Sequence, residues 1–450
     1  MHKSHTAVQE TIGSGNPGGK SLSLRKDANR IQLAGFNYPD NVAFTPGFFH
    51  RFLADSGALD AKKLEDAKSR VHKHSFSASE KEAIQEAVLM FPDRAKGFAI
   101  RSDDYPMGVG LWETWFTSAS SDKTGKQLAL RVGEKMKWVL ASDFDSDVLA
   151  FKQKKGMTDN VGVLLMPLYG HTVTFDKKIF RLPGQVIHFM GTLKGQDFYY
   201  GSEGFTTGGE PFKNRLFIGY SDEFSTTVLN LRTGDNDYVK IPRRKMQESE
   251  DRNPETEKPL EDRISDLVRG AGPRYLELIK GDSSPSWTIV QSAPMKIPKL
   301  PKLVVPAKAK VVLSNEVIGT AVTSGSQIKF AILNRFDGSK QIQEIDGFNK
   351  KNTGYLLVLA VSQACEFSIP FKLSNFSNAA AVLVINEELR NTAQEHLGGR
   401  FREFGIPVLL VERDSVNIDW LESLHDKPLQ NQKFVVYANE FGRKGFVALE

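Results

Sequence analysis

Apolar residues along this chain gather into short, nearly unbroken runs, separated by longer stretches in which they recur at helical spacing. The runs at 98–100, 161–168, 355–361, 379–385 and 408–411 predict buried strands. Residues 178–197 and 214–220 add further strand-like segments. Helical patterns fall between them, one opening at Gly18-Gly19-Lys20 and running through Leu33, and a charged one over 61–90 whose alternating signs predict a solvated face. His72 and His74 stand two apart on the charged pattern, so a helix turns them to different sides and away from a shared metal. Residues 7–11 are too polar for a buried strand, and 242–263, charged and poor in apolar positions, predict an exposed connection.

Two short strands flanking Gly281-Asp282-Ser283-Ser284-Pro285 predict a hairpin with Glu277 on one arm and Gln291 on the other. Beyond it, Pro294, Pro298, Pro301 and Pro306 interspersed with lysines predict an extended, semi-rigid hinge over 296–308. The fold class expected is α/β, with an α+β module over 1–295 followed by a smaller α/β domain over 309–450. A chain of 450 residues is long enough for each to bury its own core.

Composition narrows the classes of function. With 40% hydrophobic and 25% charged residues the chain reads as soluble and globular. A net charge of +5, from 59 basic and 54 acidic residues, supplies no dominant basic face, so nucleic acid is not expected as a partner. Cys365 is the only cysteine, which excludes an intrachain disulfide or a multi-cysteine metal site and fits a reducing cytoplasm. No run approaches the ~18 apolar residues of a membrane span, and the start of the chain lacks the apolar core of a signal peptide. A cytoplasmic protein without a membrane partner is expected.

Candidate chemistry lies at four places. The glycine-rich stretch 13–24 lets backbone N–H groups approach a phosphate, with Lys20 adding a point charge. A Walker A loop needs glycine six positions before the lysine, and Ser14 stands there, so this is not a P-loop. Arg101 closes a short apolar strand, and Glu277 with Gln291 offers a carboxylate and an amide oxygen of the kind that hold Mg2+ together with substrate phosphates. His396 sits in a strand-loop-helix-strand unit near the start of a helix that Gly405 and Pro407 terminate, where free N–H donors suit an anion on the imidazole.

The order and spacing of these features resemble the phosphoenolpyruvate synthase and pyruvate phosphate dikinase family. His396, with Arg402 six and Pro407 eleven positions on and Arg402-Glu403-Phe404-Gly405-Ile406-Pro407 between them, resembles the segment after the phosphoryl-carrying histidine of its swivelling domain. Gly18-Gly19-Lys20, Ala34-Gly35, Val42 to Phe48, Phe98 to Asp104, and Gly110 with Glu113 and Thr114 resemble the successive motifs of its ATP-grasp module. The hairpin around Glu277 and Gln291 resembles the one that closes that module. The chain departs from the family at Gln394-Glu395 before the histidine, at Tyr275 where the family has Asp, and at Ala293 where it has Arg. The family's large C-terminal barrel, which binds pyruvate or phosphoenolpyruvate, is not expected within these 450 residues.

The resemblance implies an ATP-dependent phosphotransferase with ATP and Mg2+ as cofactors. Lys20, Arg101 and Thr114 would contact nucleotide, Glu277 and Gln291 would hold both nucleotide and metal, and His396 would carry the phosphoryl group. The acceptor would be bound by a separate partner chain or between the two modules. The alternative is a non-catalytic, nucleotide-binding regulatory protein derived from the same family.

Overall fold

The computed structural model describes residues 7–92, 94, 97–104, 112–118, 124–175, 178–183, 185–191, 198–199, 223–230, 233, 236–242, 260–281, 284–295, 309–314, 316–333, 338–361, 376–386, 401, 404–412, 430–439 and 444–449. The chain is of the α/β class and divides into two compact units, Met1–Met295 and Lys296–Glu450. The hinge expected over 296–308 lies outside the described residues.

The first unit is built on a mixed sheet of β1 (Gln9–Ile12), β2 (Asn41–Phe44), β3 (Phe98–Asp103), β4 (Trp115–Thr117) and β5 (Gly162–Pro167), in the order β1-β2-β5-β3-β4. Only β1 and β2 run parallel. Residues 7–11, too polar for a buried strand, do form most of an edge strand. Among the described residues β1 pairs on one side only, and Gln9 and Glu10 are exposed.

Helices cover both faces of this sheet. On one side lie α1 (Gly19–Leu33) and, from late in the unit, α7 (Leu260–Ala271). Leu24 and Ile31 of α1, Ile264, Leu267 and Val268 of α7, and Leu164 and Met166 of β5 form one core with Phe36, Leu276 and Ile289. The other side carries α2 (Pro46–Asp55), α3 (Leu64–Lys73), α4 (Ala78–Leu89), α5 (Lys126–Ser142) and α6 (Ser146–Lys155). Phe44 of β2 points to this side and meets Phe48 and Phe49 of α2 edge-on and tilted, because neighbouring strand residues alternate faces. The connection expected over 242–263 is corrected at its end. Residues 260–263 open α7, and Arg263 is buried, stacked over Phe36 at 4.3 Å and bonded to the carbonyls of Ala34 and Gly35.

Among the described residues two further four-stranded sheets belong to the unit. β6 (Gly170–Phe175), β7 (Lys178–Pro183), β10 (Glu223–Asn230) and β11 (Asn236–Pro242) form one, in the order β11-β10-β7-β6. The other joins β8 (Gln185–Gly191), β9 (Phe198–Tyr199), β12 (Arg274–Gly281) and β13 (Ser284–Pro294), in the order β13-β12-β8-β9. The strand-like run at 178–197 thus yields two strands in different sheets, while 214–220 lies outside the described residues.

The described residues of the second unit form an eight-stranded sheet: β14 (Lys310–Ser314), β15 (Glu316–Ile318), β16 (Thr320–Leu333), β17 (Tyr355–Val361), β18 (Ala379–Asn386), β19 (Val408–Glu412), β20 (Gln430–Asn439) and β21 (Lys444–Leu449). Their order is β14-β21-β20-β16-β17-β18-β19-β15, in which β16, β17, β18 and β19 run parallel to one another, the other pairings are antiparallel, and α8 (Gly338–Asn349) joins β16 to β17. The apolar runs at 355–361, 379–385 and 408–411 are the central strands, as their continuity requires. All eight strands send side chains into one core, among them Val312, Val317, Ile328, Leu356, Leu383, Leu409, Val436 and Val447. Ser314 Oγ on β14 donates to Leu410 O on β19 at 2.6 Å, so the sheet curls until its ends meet. β16 serves two partners by bending. It pairs with β20 from Thr320 to Gln327, across a register shift after Gly325, and with β17 from Ile328, and at the bend a Cβ on Gly325 would lie 2.2 Å from Gly354 O.

Candidate functional site

The site is assembled where the start of α1, the end of β3 and the hairpin β12–β13 converge. α1 opens at Gly18, which has no side chain to cap the helix. Asp103, at the end of β3, supplies the cap from across the fold: Gly18 N–H donates to Oδ2 at 3.0 Å, Ser21 N–H to Oδ1 at 2.8 Å, and Ser21 Oγ to Oδ2 at 2.5 Å. The approach is so close that a Cβ on Gly18 would lie 1.6 Å from Asp103 O, which is why glycine stands there. Burial raises the pKa of Asp103, and the bonds from Ser21 and Gly18 oppose that rise. The amides of Gly18 and Ser21 are thus engaged by a carboxylate, and the chemistry at the helix start passes to side chains.

The first of those side chains is Lys20. It lies in the first turn of α1, is 8% exposed, and donates to Ser102 Oγ at 2.8 Å. No carboxylate among the described residues lies within ion-pair distance of its amine. Burial, with the nearby Arg101 charge adding to it, lowers its pKa from 10.5 to about 8. Arg101, one residue before Ser102, reaches the hairpin: its Nη2 donates to Glu277 Oε2 at 2.5 Å and to Gln291 Oε1 at 3.1 Å. Glu277 and Gln291 stand directly opposite each other across β12 and β13, so their side chains share one face. Lys20, Arg101, Glu277 and Gln291, drawn from three distant segments, are thereby brought into one cluster.

A second carboxylate fixes α1 against the hairpin. Asp27, two turns along the helix, accepts from Arg274 Nη2 at 3.0 Å, from Ser292 Oγ at 2.7 Å and from Arg30 Nη1 at 3.4 Å. Asp27 is 1% exposed. The sequence reading assigned no role to Asp27, Asp103, Arg274 or Ser292. A helix start lacking its own cap was the available signal that an acceptor had to come from elsewhere.

Beside Asp103 lies Asp104, one of whose carboxylate oxygens is buried without a hydrogen-bond partner among the described residues. Burial raises it from 3.8 to about 7 against the pull of the Lys152 charge. Lys152 itself is committed to Asp143, which also accepts from Trp112 Nε1 at 3.0 Å and Val161 N–H at 3.2 Å. Thr114, the remaining nucleotide-contact candidate, is exposed just before β4, and no hydrogen bond joins it to the cluster among the described residues. Its neighbour Glu113 accepts from Trp115 Nε1 at 2.7 Å. His396 lies outside the described residues, as do Gly110, Arg402 and Glu403.

Two cations, a carboxylate and an amide oxygen thus meet at one place. Among the described residues no group of three or more His, Cys, Asp or Glu is placed to hold a metal alone. The donor set fits Mg2+, which keeps water and phosphate ligands and needs only one or two from protein. Glu277 and Gln291 are the residues that could provide them. No helix among the described residues is long and apolar enough to cross a membrane. No model of a known protein family matches this chain, and no curated protein matches it.

Proposed function

We propose that the first unit binds magnesium-ATP and that the chain is a cytoplasmic phosphotransferase of the dikinase kind, passing a phosphoryl group to His396 and on to an acceptor carried by a partner chain. The observation that supports this reading is the convergence of Lys20, Arg101, Glu277 and Gln291 in one cluster, where Arg101 bonds Gln291 from 190 residues away in sequence. Lys20 and Arg101 neutralise phosphate oxygens and hold the chain of phosphates in line. Glu277 and Gln291 orient the metal–phosphate group on a paired-strand platform. Magnesium, when bound, disperses charge on the transferring phosphoryl group. A neutral imidazole at His396 accepts that group, forming a nitrogen–phosphorus bond as the phosphoanhydride bond breaks.

Calorimetry on the full chain tests binding. Magnesium-ATP should bind at pH 7, Lys20→Met should weaken it by roughly tenfold or more, and binding should weaken as pH rises through about 8, where Lys20 loses its proton. Absence of magnesium-dependent nucleotide binding would sink the reading. Incorporation of acid-labile label from ATP, lost in His396→Ala with nucleotide binding intact, tests transfer.

A second reading, a nucleotide-binding regulatory protein, is favoured by one feature. Tyr275 and Ala293, both departures from the family pattern, face each other across the hairpin and are buried at 1% and 0% exposure. An apolar pair thus stands where the family has an acid and a phosphate-binding base. Wild-type chain that binds nucleotide but takes up no label, with its acceptor partner present, would establish this reading instead.

A further inference from the structure

We infer that Lys20 is a modification site that takes an acyl group from acyl phosphates, small mixed anhydrides of a carboxylic acid and phosphate; this rests on the reading of the same cluster as one that binds phosphate. Among the described residues three lysines are buried, Lys20, Lys137 and Lys152. Two of them are held as ammonium ions. Lys137 pairs with Glu134 at 2.7 Å and donates to the carbonyls of His72 and His74, while Lys152 pairs with Asp143 at 2.7 Å and donates to the carbonyl of Asp159. Lys20 Nζ instead meets a hydroxyl, Ser102 Oγ, at 2.8 Å. A carboxylate only accepts and so demands the ammonium, whereas a hydroxyl accepts from an ammonium and donates to a free amine. Burial, with the Arg101 charge adding to it, moves Lys20 toward the free amine, from 10.5 to about 8. Roughly a tenth of it is then free at pH 7, against about 0.03% for a lysine at 10.5, so the nucleophile is about 300-fold more abundant. Weaker basicity makes each free amine less nucleophilic and returns part of that gain.

An acyl phosphate brings a phosphate for the place proposed for a nucleotide's phosphates and, bonded to it, a carbonyl carbon for the amine. The free amine attacks that carbon. A nitrogen–carbon bond forms, the carbon–oxygen bond to phosphate breaks, and the proton lost from nitrogen leaves with the phosphate as hydrogen phosphate. The resulting amide keeps one N–H, enough to go on donating to Ser102 Oγ, while the positive charge is gone. Acylation therefore takes a cation from the cluster and leaves the hydrogen bond that ties α1 to β3.

The test uses the wild-type chain, so no variant has to fold. Protein incubated with acetyl phosphate at pH 7, then digested for mass spectrometry, compares Lys20 with Lys26, which is exposed on the same helix. Lys20 should gain acetyl about tenfold faster than Lys26, at a rate that rises with pH and levels off above about 8. Inorganic phosphate should slow Lys20 and leave Lys26 unchanged. The reagent p-nitrophenyl acetate, which has no phosphate, should lose most of the preference for Lys20. Lys20 reacting no faster than Lys26, or equally selectively with p-nitrophenyl acetate, overturns the inference. Calorimetry with magnesium-ATP on unmodified protein judges the nucleotide reading separately. Nucleotide binding without selective acetylation leaves that reading standing and this inference wrong, whereas selective, phosphate-sensitive acetylation without nucleotide binding sinks the nucleotide reading and keeps the modification site.

Discussion

Replacing Asp27 tests whether the clamp between α1 and the hairpin holds the site together. Asp27→Ala removes the acceptor shared by Arg274 and Ser292 and leaves Arg274, whose side chain is 9% exposed, as a buried charge without its carboxylate. Stranding such a charge costs about 3–5 kcal/mol, and the lost Ser292 hydrogen bond adds about 1 kcal/mol. Asp27→Asn keeps the shape and one acceptor oxygen and should cost roughly half as much. Replacing the pair together, as Asp27→Leu with Arg274→Met, should return to within about 1 kcal/mol of wild type, because two desolvated charges are exchanged for apolar contact. Urea unfolding followed by the fluorescence of Trp287, buried in the core that α1 shares, measures all three. A loss below about 1 kcal/mol in Asp27→Ala, or a double variant no better than the sum of its single changes, would refute the reasoning.

Two further outcomes follow from single residues. Asp104 is neutral in the fold up to about 7 but ionised above 3.8 when unfolded, so the folded state binds the extra proton between those values and stability from this group falls as pH rises through that window. Asp104→Asn should therefore stabilise the first unit by about 2 kcal/mol at pH 8, after allowance for residual exposure, and by much less near pH 4; equal effects at both would argue against it. In the second unit, Gly325→Ala should destabilise by about 2 kcal/mol or more, since its Cβ meets Gly354 O and the Phe434 ring; thermal melting of the variant checks this, and an unchanged midpoint would refute the bend.

The elements legible in the sequence were those whose signal is local. Continuous apolar runs gave β5, β17, β18 and β19, and turn residues between short strands gave the hairpin carrying Glu277 and Gln291. What escaped was set by partners far along the chain. Asp103 meets Ser21 82 positions away, and Arg274 meets Asp27 247 positions away, distances over which no spacing rule operates. Arg263 escaped for a different reason: the charged run before it masked the apolar spacing of Ile264, Leu267 and Val268, and its own burial depends on Phe36 and two distant carbonyls.

The two faces of the hairpin divide its residues between the core and the cluster. On one face Leu276 joins the α1 core while Ser292, its cross-strand partner, bonds Asp27; on the other Tyr275, Glu277, Gln291 and Ala293 lie together, because side chains alternate along each strand. Tyr275 opposite Ala293 puts apolar material beside Glu277, which keeps water from the Arg101 pair and strengthens every charge there. An arginine at 293 would add a third cation to Lys20 and Arg101. Without it, two cations face one carboxylate; under the proposed function this would favour an anion bound in its ground state yet supply less charge to a phosphoryl group in transfer. On that proposal affinity and transfer depend on different residues of one face, and label transfer to His396, rather than nucleotide binding, decides between phosphotransferase and regulator.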